Sequence, residues 1–204
     1  MNMMRGFFTV GFWTLISRIL GFCRDILMAG ILGASPIAEA FVVAFSLPNL
    51  FRRFFAEGAF NMAFIPMFSK KLESDDGPLT FARDALSMLA LVLIILNVIA
   101  LYFMPYLVWL MASGFSGDAR FDLTVLFGRI AFPYIFFISL AALLSGVLNS
   151  VKRFMAASAA PILLNMCFII ALLLASRAGW NIGLTLSWSV PLAGIGQFVF
   201  LWIA

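Results

Sequence analysis

The chain has 204 residues, of which 64% are hydrophobic and 11% charged, with 24 Phe, 5 Trp and no His. Soluble domains are roughly half apolar, so a mean hydropathy of +1.11 excludes a water-soluble fold and specifies an all-α, polytopic membrane protein. The formal net charge of +4 is too small to suggest a nucleic-acid partner, and without His the chain offers no imidazole as acid, base or metal ligand.

Apolar runs of about 20 residues are long enough to cross the hydrocarbon core. The polar breaks divide this chain into six such helices, near 7–29, 36–64, 83–112, 123–149, 157–176 and 183–204. The first begins like a signal peptide, with Arg5 before the run Gly6 to Ile16. However, Arg18 and Arg24 interrupt that run and no small-residue cleavage site follows, so it is a membrane helix. The second follows the turn GASP (Gly33 to Pro36) and carries LPNLFRRFFAEGAF from Leu47 to Phe60. Pro48 has no N–H to donate, which predicts a bend or local opening before Asn49.

The charged segment Ser69 to Asp84 precedes the third helix and is the only break long enough to hold a surface helix. The fourth follows SGFSGDARFD, and Arg129 near its outer end has a stem long enough to snorkel to the interface. Asn149, Ser150, Lys152 and Arg153 form a solvated inner turn, with headgroup attraction as a secondary effect. The segment SRAGWNIG separates the last two helices. The chain stops inside the apolar run FVFLWIA without a terminal Lys or Arg anchor, as expected at the boundary of a larger protein. Cys23 and Cys167 lie far apart in apolar runs and read as buried free thiols, and nothing in the sequence calls for a cofactor or a metal.

Lys and Arg concentrate in cytoplasmic loops. An inward-facing N-terminus places Arg5, Lys70, Lys71, Arg83, Lys152 and Arg153 inside, against Arg120 and Arg177 outside. The N-terminus is therefore expected in the cytoplasm.

Ionisable groups at membrane depth are costly and are default functional candidates. Apart from Arg129 they fall on the first two helices: Arg18, Arg24, Asp25, Glu39, Arg52, Arg53 and Glu57. At about 100° per residue, Glu39 and Glu57 are in phase and Arg53 lies about 40° away, so one face of helix two is charged over roughly 27 Å. Arg53 and Glu57 are spaced to pair, while Arg52 points elsewhere and needs another partner. On helix one, Arg18 and Asp25 are nearly in phase, and Arg24 joins them only if Gly21 bends the helix or if it serves the rim. These two helices carry one more Arg than acid, which suits an anionic ligand, because a guanidinium fork binds phosphate oxygens while staying protonated. Internal ion pairs that hold helices in register are the structural alternative. The surrounding Phe residues read as lipid-facing or core packing rather than as an aromatic ligand box.

The segments SRILGFCRD (Ser17 to Asp25), EAFVVAFSLPNLFRRFFAEGAFNMAFIP (Glu39 to Pro66), FPYIFFISLAALLSGVLN (Phe132 to Asn149) and APILLN (Ala160 to Asn165) resemble the MurJ (MviN) family of lipid II flippases. That family lies within the multidrug/oligosaccharidyl-lipid/polysaccharide exporter superfamily. The resemblance implies a fourteen-helix, two-lobe transporter of the bacterial inner membrane, of which residues 1–204 are the six-helix N-terminal lobe and the C-terminal lobe is absent. It implies transport of lipid-linked peptidoglycan precursor by alternating access, not enzymatic turnover, with membrane lipids as neighbours and the missing lobe required. Arg18, Arg24, Arg52 and Arg53 would be the cavity cations that meet the pyrophosphate, with Asp25, Glu39 and Glu57 tuning them. Glu39 stands where the family often has Asp, which keeps the charge on a longer arm. An exporter of another polyprenyl-linked oligosaccharide, a lipid-pyrophosphate enzyme and a non-transporting membrane scaffold are the rival readings.

Overall fold

The computed structural model describes the backbone of residues 3–53 and 59–204 and the side chains of 8–53 and 62–204. Among the described residues there is no strand. The helices are α1 (Met3–Leu32), α2 (Pro36–Arg52), α3 (Ala59–Ser74), α4 (Pro78–Tyr102), α5 (Met104–Met111), α6 (Ala119–Ala131), α7 (Tyr134–Ser150), α8 (Phe154–Ala178) and α9 (Ile182–Ile203). Of these, α4, α8 and α9 are long and apolar enough to cross a membrane, and α6 with α7 makes a fourth such unit bent by 40°.

Local chemistry explains where the helices start and stop. Ser35 caps α2 by accepting from the Ala38 N–H at 3.2 Å, and Pro36 occupies the first turn, where a missing N–H costs nothing. The α6–α7 bend falls at Pro133, which cannot donate to the carbonyl of Arg129, and the chain crosses it with Ile135 N–H bonded to Phe132 O at 3.0 Å. In α2, Pro48 is tolerated inside the helix, which runs on to Arg52.

Two predicted spans divide differently. The expected helix 36–64 is described as α2 and α3, and residues 54–58 between them lie outside the described residues. The expected 83–112 is α4 plus α5, and the expected 123–149 is α6 plus α7. The charged break 69–84 contains no separate surface helix, because α3 runs through Lys70 and Lys71 to Ser74 and α4 starts at Pro78. Asp75 takes a left-handed conformation there (φ 52°), and Asp76 N–H returns to Lys71 O at 3.1 Å, a Schellman-type stop. Lys71 Nζ also reaches the Asp76 carboxylate at 2.8 Å, which closes the turn and holds that carboxyl below the usual carboxylate range.

Helix α8 is the organising strut, packed against α1, α7 and α9, while α9 also contacts α6 and α7 and α2 lies along α6. One buried cluster joins Ala40, Phe41 and Ala44 of α2 to Phe127 of α6, Phe168 and Leu172 of α8, and Leu186 and Val190 of α9. A second joins Leu47 to α3, α4 and α5 through Phe64, Phe68, Leu93 and Met104. The phenylalanines of α2 are mostly packing elements, as Phe45 meets Phe168 edge-on at 5.3 Å and Phe51 meets Phe132 at 5.4 Å. Helix α1 is different: it is attached chiefly through α8, and Phe8, Phe12, Leu15, Ile19, Phe22 and Ile26 form an exposed apolar stripe along it. Cys23 shares this outward side and is exposed, contrary to the buried thiol expected, whereas Cys167 is half-buried, and both are free.

Candidate functional site

A cavity of about 900 Å³ opens between α1, α2, α3, α7, α8 and α9. Among the described residues, the ionised side chains on its wall are Arg24 of α1 and Arg52 of α2. The other polar residues described there are neutral and include Asn49, Ser145, Asn149, Asn165 and Gln197.

Arg24 reaches the cavity because of how α1 meets α8. Ser17, Gly21 and Arg24 lie on one helical face, and a side-chain carbon added to Gly21 would stand 3.6 Å from the Asn165 amide, so the two helices approach closely. Asn165, buried on α8, donates from Nδ2 to the Ser17 carbonyl at 2.9 Å and accepts from Arg24 Nη1 at 3.1 Å. Both faces of this intramembrane amide are used, one to dock α1 and one to aim the guanidinium. Arg24 also donates to Asp25 Oδ1 from Nε at 2.9 Å and Nη2 at 2.7 Å, and its guanidinium lies 5.5 Å from the centre of the Phe168 ring. Asp25 therefore sits beside a cavity cation, although it is exposed and is not itself part of the wall.

On α2 the cavity face is Phe45, Asn49 and Arg52, spaced four and three residues apart. Asn49 returns its side-chain N–H to Phe45 O at 3.0 Å. Arg52, half-buried at the end of α2, projects from this face. Glu39 and Arg53, on the face anticipated from the sequence, do not line the cavity.

The remaining anticipated site residues are distributed elsewhere. Arg18 and Arg53 are exposed and do not line the cavity. Helix α1 is uninterrupted at Gly21, so Arg18 and Arg24 point in different directions, and it is Arg24 that turns to the cavity. Glu39 lies at the opposite end of α2 from Arg52, about 20 Å away along the helix. There it pairs with Arg120 Nη1 at 2.6 Å, while Arg120 Nε holds Asp118 at 2.6 Å and the guanidinium covers the Phe115 ring at 4.6 Å. The hydrogen bonds from Arg120, side chain first, hold the Asp118 carboxyl below its ordinary range. Glu57 lies outside the described residues.

Sequence reasoning missed Asn165, Asn49 and Gln197, read Asn149 only as part of a solvated inner turn, although it lies on α7 and lines the cavity, and treated Arg120 only as a loop charge. Polar amides inside apolar helices were the available signal, because such groups need partners at membrane depth. Among the described residues no group of His, Cys, Asp and Glu is placed to hold a metal ion.

A family model described as lipid II flippase MurJ matches residues 28–204. The chain belongs to the MurJ family. It is 46% identical to the probable lipid II flippase MurJ of Rhizobium tropici, over all of this chain and 39% of that protein. With the probable lipid II flippase MurJ of Rhizobium meliloti it shares 44% identity, again over all of this chain and 39% of the relative. The lipid II flippase MurJ of Burkholderia cenocepacia is 40% identical over 98% of this chain and 39% of its own length. A solved structure of lipid II flippase MurJ in an inward closed conformation superposes with a TM-score of 0.76 at 29% identity, covering 93% of this chain and 40% of that one. The chain thus spans about two fifths of the length of the MurJ proteins it matches.

Proposed function

We propose that residues 1–204 are the N-terminal lobe of a lipid II flippase, working in the bacterial inner membrane with its N-terminus in the cytoplasm. The observation that carries this reading is the convergence of Arg24 and Arg52 on one cavity. Two guanidiniums in a low-dielectric cleft focus a positive field where a pyrophosphate can be held by paired N–H donors, while its lipid tail stays in the bilayer. Asp25 offsets part of that field at Arg24, which keeps the anion from binding too tightly to leave. Arg18, Arg53 and Glu57 would join the site when the second lobe is present, and Glu39 would act through its pair with Arg120. Rocking of the two lobes would then expose the cavity to alternate sides. The six spans of the lobe are α1, α2 with α3, α4 with α5, α6 with α7, α8, and α9. The family membership and the names of the relatives support transport rather than covalent chemistry.

The test is replacement of Arg24 and Arg52 by Ala in the protein expressed from its complete gene as the sole flippase of a bacterial cell. Loss of growth with unchanged protein level is expected, and normal growth of either variant would refute the anion-site assignment.

A further inference from the structure

The cavity wall is divided chemically by helix. Its cations come from α1 and α2, whereas α7, α8 and α9 supply neutral groups only. On α7, Ser145 and Asn149 stand one turn apart on the same face, and among the described residues neither side chain makes a hydrogen bond to protein. On α9, Gln197 is 2% exposed and donates from Nε2 to the Ala160 carbonyl at 2.9 Å. That bond orients the amide, because a carbonyl can face only its N–H₂ side, and Oε1 is left buried without a donor among the described residues. On α8, Pro161 has no N–H, so the carbonyl of Ala157 loses its helical donor. Ala157 and Pro161 both line the cavity beside these side chains.

We propose that this α7–α8–α9 wall is a glycan subsite, which takes the hydroxyl and amide groups of sugars attached to the pyrophosphate. The inference rests on the reading of Arg24 and Arg52 as the pyrophosphate site and adds which part of the headgroup the opposite wall recognises. Unpaired amide, hydroxyl and carbonyl groups match a neutral polyhydroxyl ligand, which supplies donors and acceptors in equal measure. A peptide bearing free carboxylates would call for a cation here, and none lines this wall. The position also fits: Ala157 and Ala160 lie five to eight residues before Asn165, about 8 to 12 Å along α8 from the point where Arg24 is held. That is the separation of a pyrophosphate from the first or second sugar attached to it.

The experiment uses the protein from its complete gene in nanodiscs, with two probes, a polyprenyl pyrophosphate and the same lipid carrying an N-acetylhexosamine disaccharide without peptide. The unsubstituted protein should prefer the glycosylated probe. Combined Ser145→Ala and Asn149→Ala, at positions exposed enough to tolerate change, should reduce binding of the glycosylated probe roughly tenfold while leaving the bare pyrophosphate unaffected. Gln197→Leu, which removes the oriented acceptor oxygen, should act in the same direction. An unchanged ratio between the probes, or a parallel loss of both, overturns the proposal. Arg24→Ala and Arg52→Ala separate the two readings: if they leave the bare probe bound, the anion site fails, while the probe ratio still judges the glycan wall.

Discussion

Asn165 does more for the candidate site than any ionised residue except the arginines themselves. It is 7% exposed, and its donor and acceptor are both engaged, with the Ser17 carbonyl and with Arg24. A hydrogen bond to a charged group contributes about 1.5–3 kcal/mol, and a buried amide partner left unmatched costs a similar amount. Asn165→Leu should therefore lower stability in detergent by about 2 kcal/mol, as measured by thermal unfolding. A double-mutant cycle with Arg24→Gln should return a coupling near that value, and a coupling near zero would remove Asn165 as the residue that positions Arg24. Arg24 was legible from the sequence as a costly intramembrane charge. Its partner was not, because an Asn separated by 141 residues becomes a neighbour only when α8 packs on α1.

At the scale of elements, turns and prolines set the architecture that hydropathy alone blurs. Apolar runs located the helical segments, but hydropathy does not register a bend, so the divisions at Phe103 and at Phe132–Pro133 had to come from backbone geometry. The α3–α4 turn is the clearest case of a polar segment read as loop that is helix almost to its tip. Its closure depends on Lys71 and Asp76, and the hydrogen bond from Lys71, followed by its charge, lowers the Asp76 carboxyl pKa. A carboxyl depressed in the folded state contributes stability above its unfolded pKa, and that contribution disappears as pH falls through the folded value. The part of the amide protection of the α3–α4 turn that comes from this pair should therefore begin to fall as pH drops through the ordinary carboxylate range and be gone below the folded value. Lys71→Ala should return the Asp76 titration, followed by NMR, to that ordinary range. If the titration of Asp76 is the same in both proteins, the lysine does not close the turn.

For the whole molecule, the bundle leaves α1 as its least enclosed member, with an apolar stripe outward and Arg18 and Asp25 exposed on its flank. The distribution of Lys and Arg predicts the orientation of this assembly in the membrane. With Cys23 and Cys167 replaced by Ser, a cysteine introduced at Ser150 should react with a membrane-impermeant maleimide only from the cytoplasmic side. A cysteine at Ser116, in the turn before α6, should react only from the outside. Labelling with the opposite sidedness would invert the proposed topology and with it the direction in which the cavity loads.

The amino-acid sequence by itself determined the class, the helical segments, the family resemblance and the identity of the costly charges, since all of these follow from composition, hydropathy and local motif. Only the tertiary structure decided which charges share a space. Helical phase placed Arg53 and Glu39 on the interesting face, whereas packing of α1 on α8 and of α2 along α6 turned Arg24 and Arg52 to the cavity and sent Glu39 to Arg120. The reason is that periodicity gives a side chain's angle relative to its own axis, while the rotation of each helix is chosen by burial against its neighbours. The neutral wall of Ser145 and Asn149 on α7, Pro161 on α8 and Gln197 on α9 exists for the same reason, as three helices converge on one space.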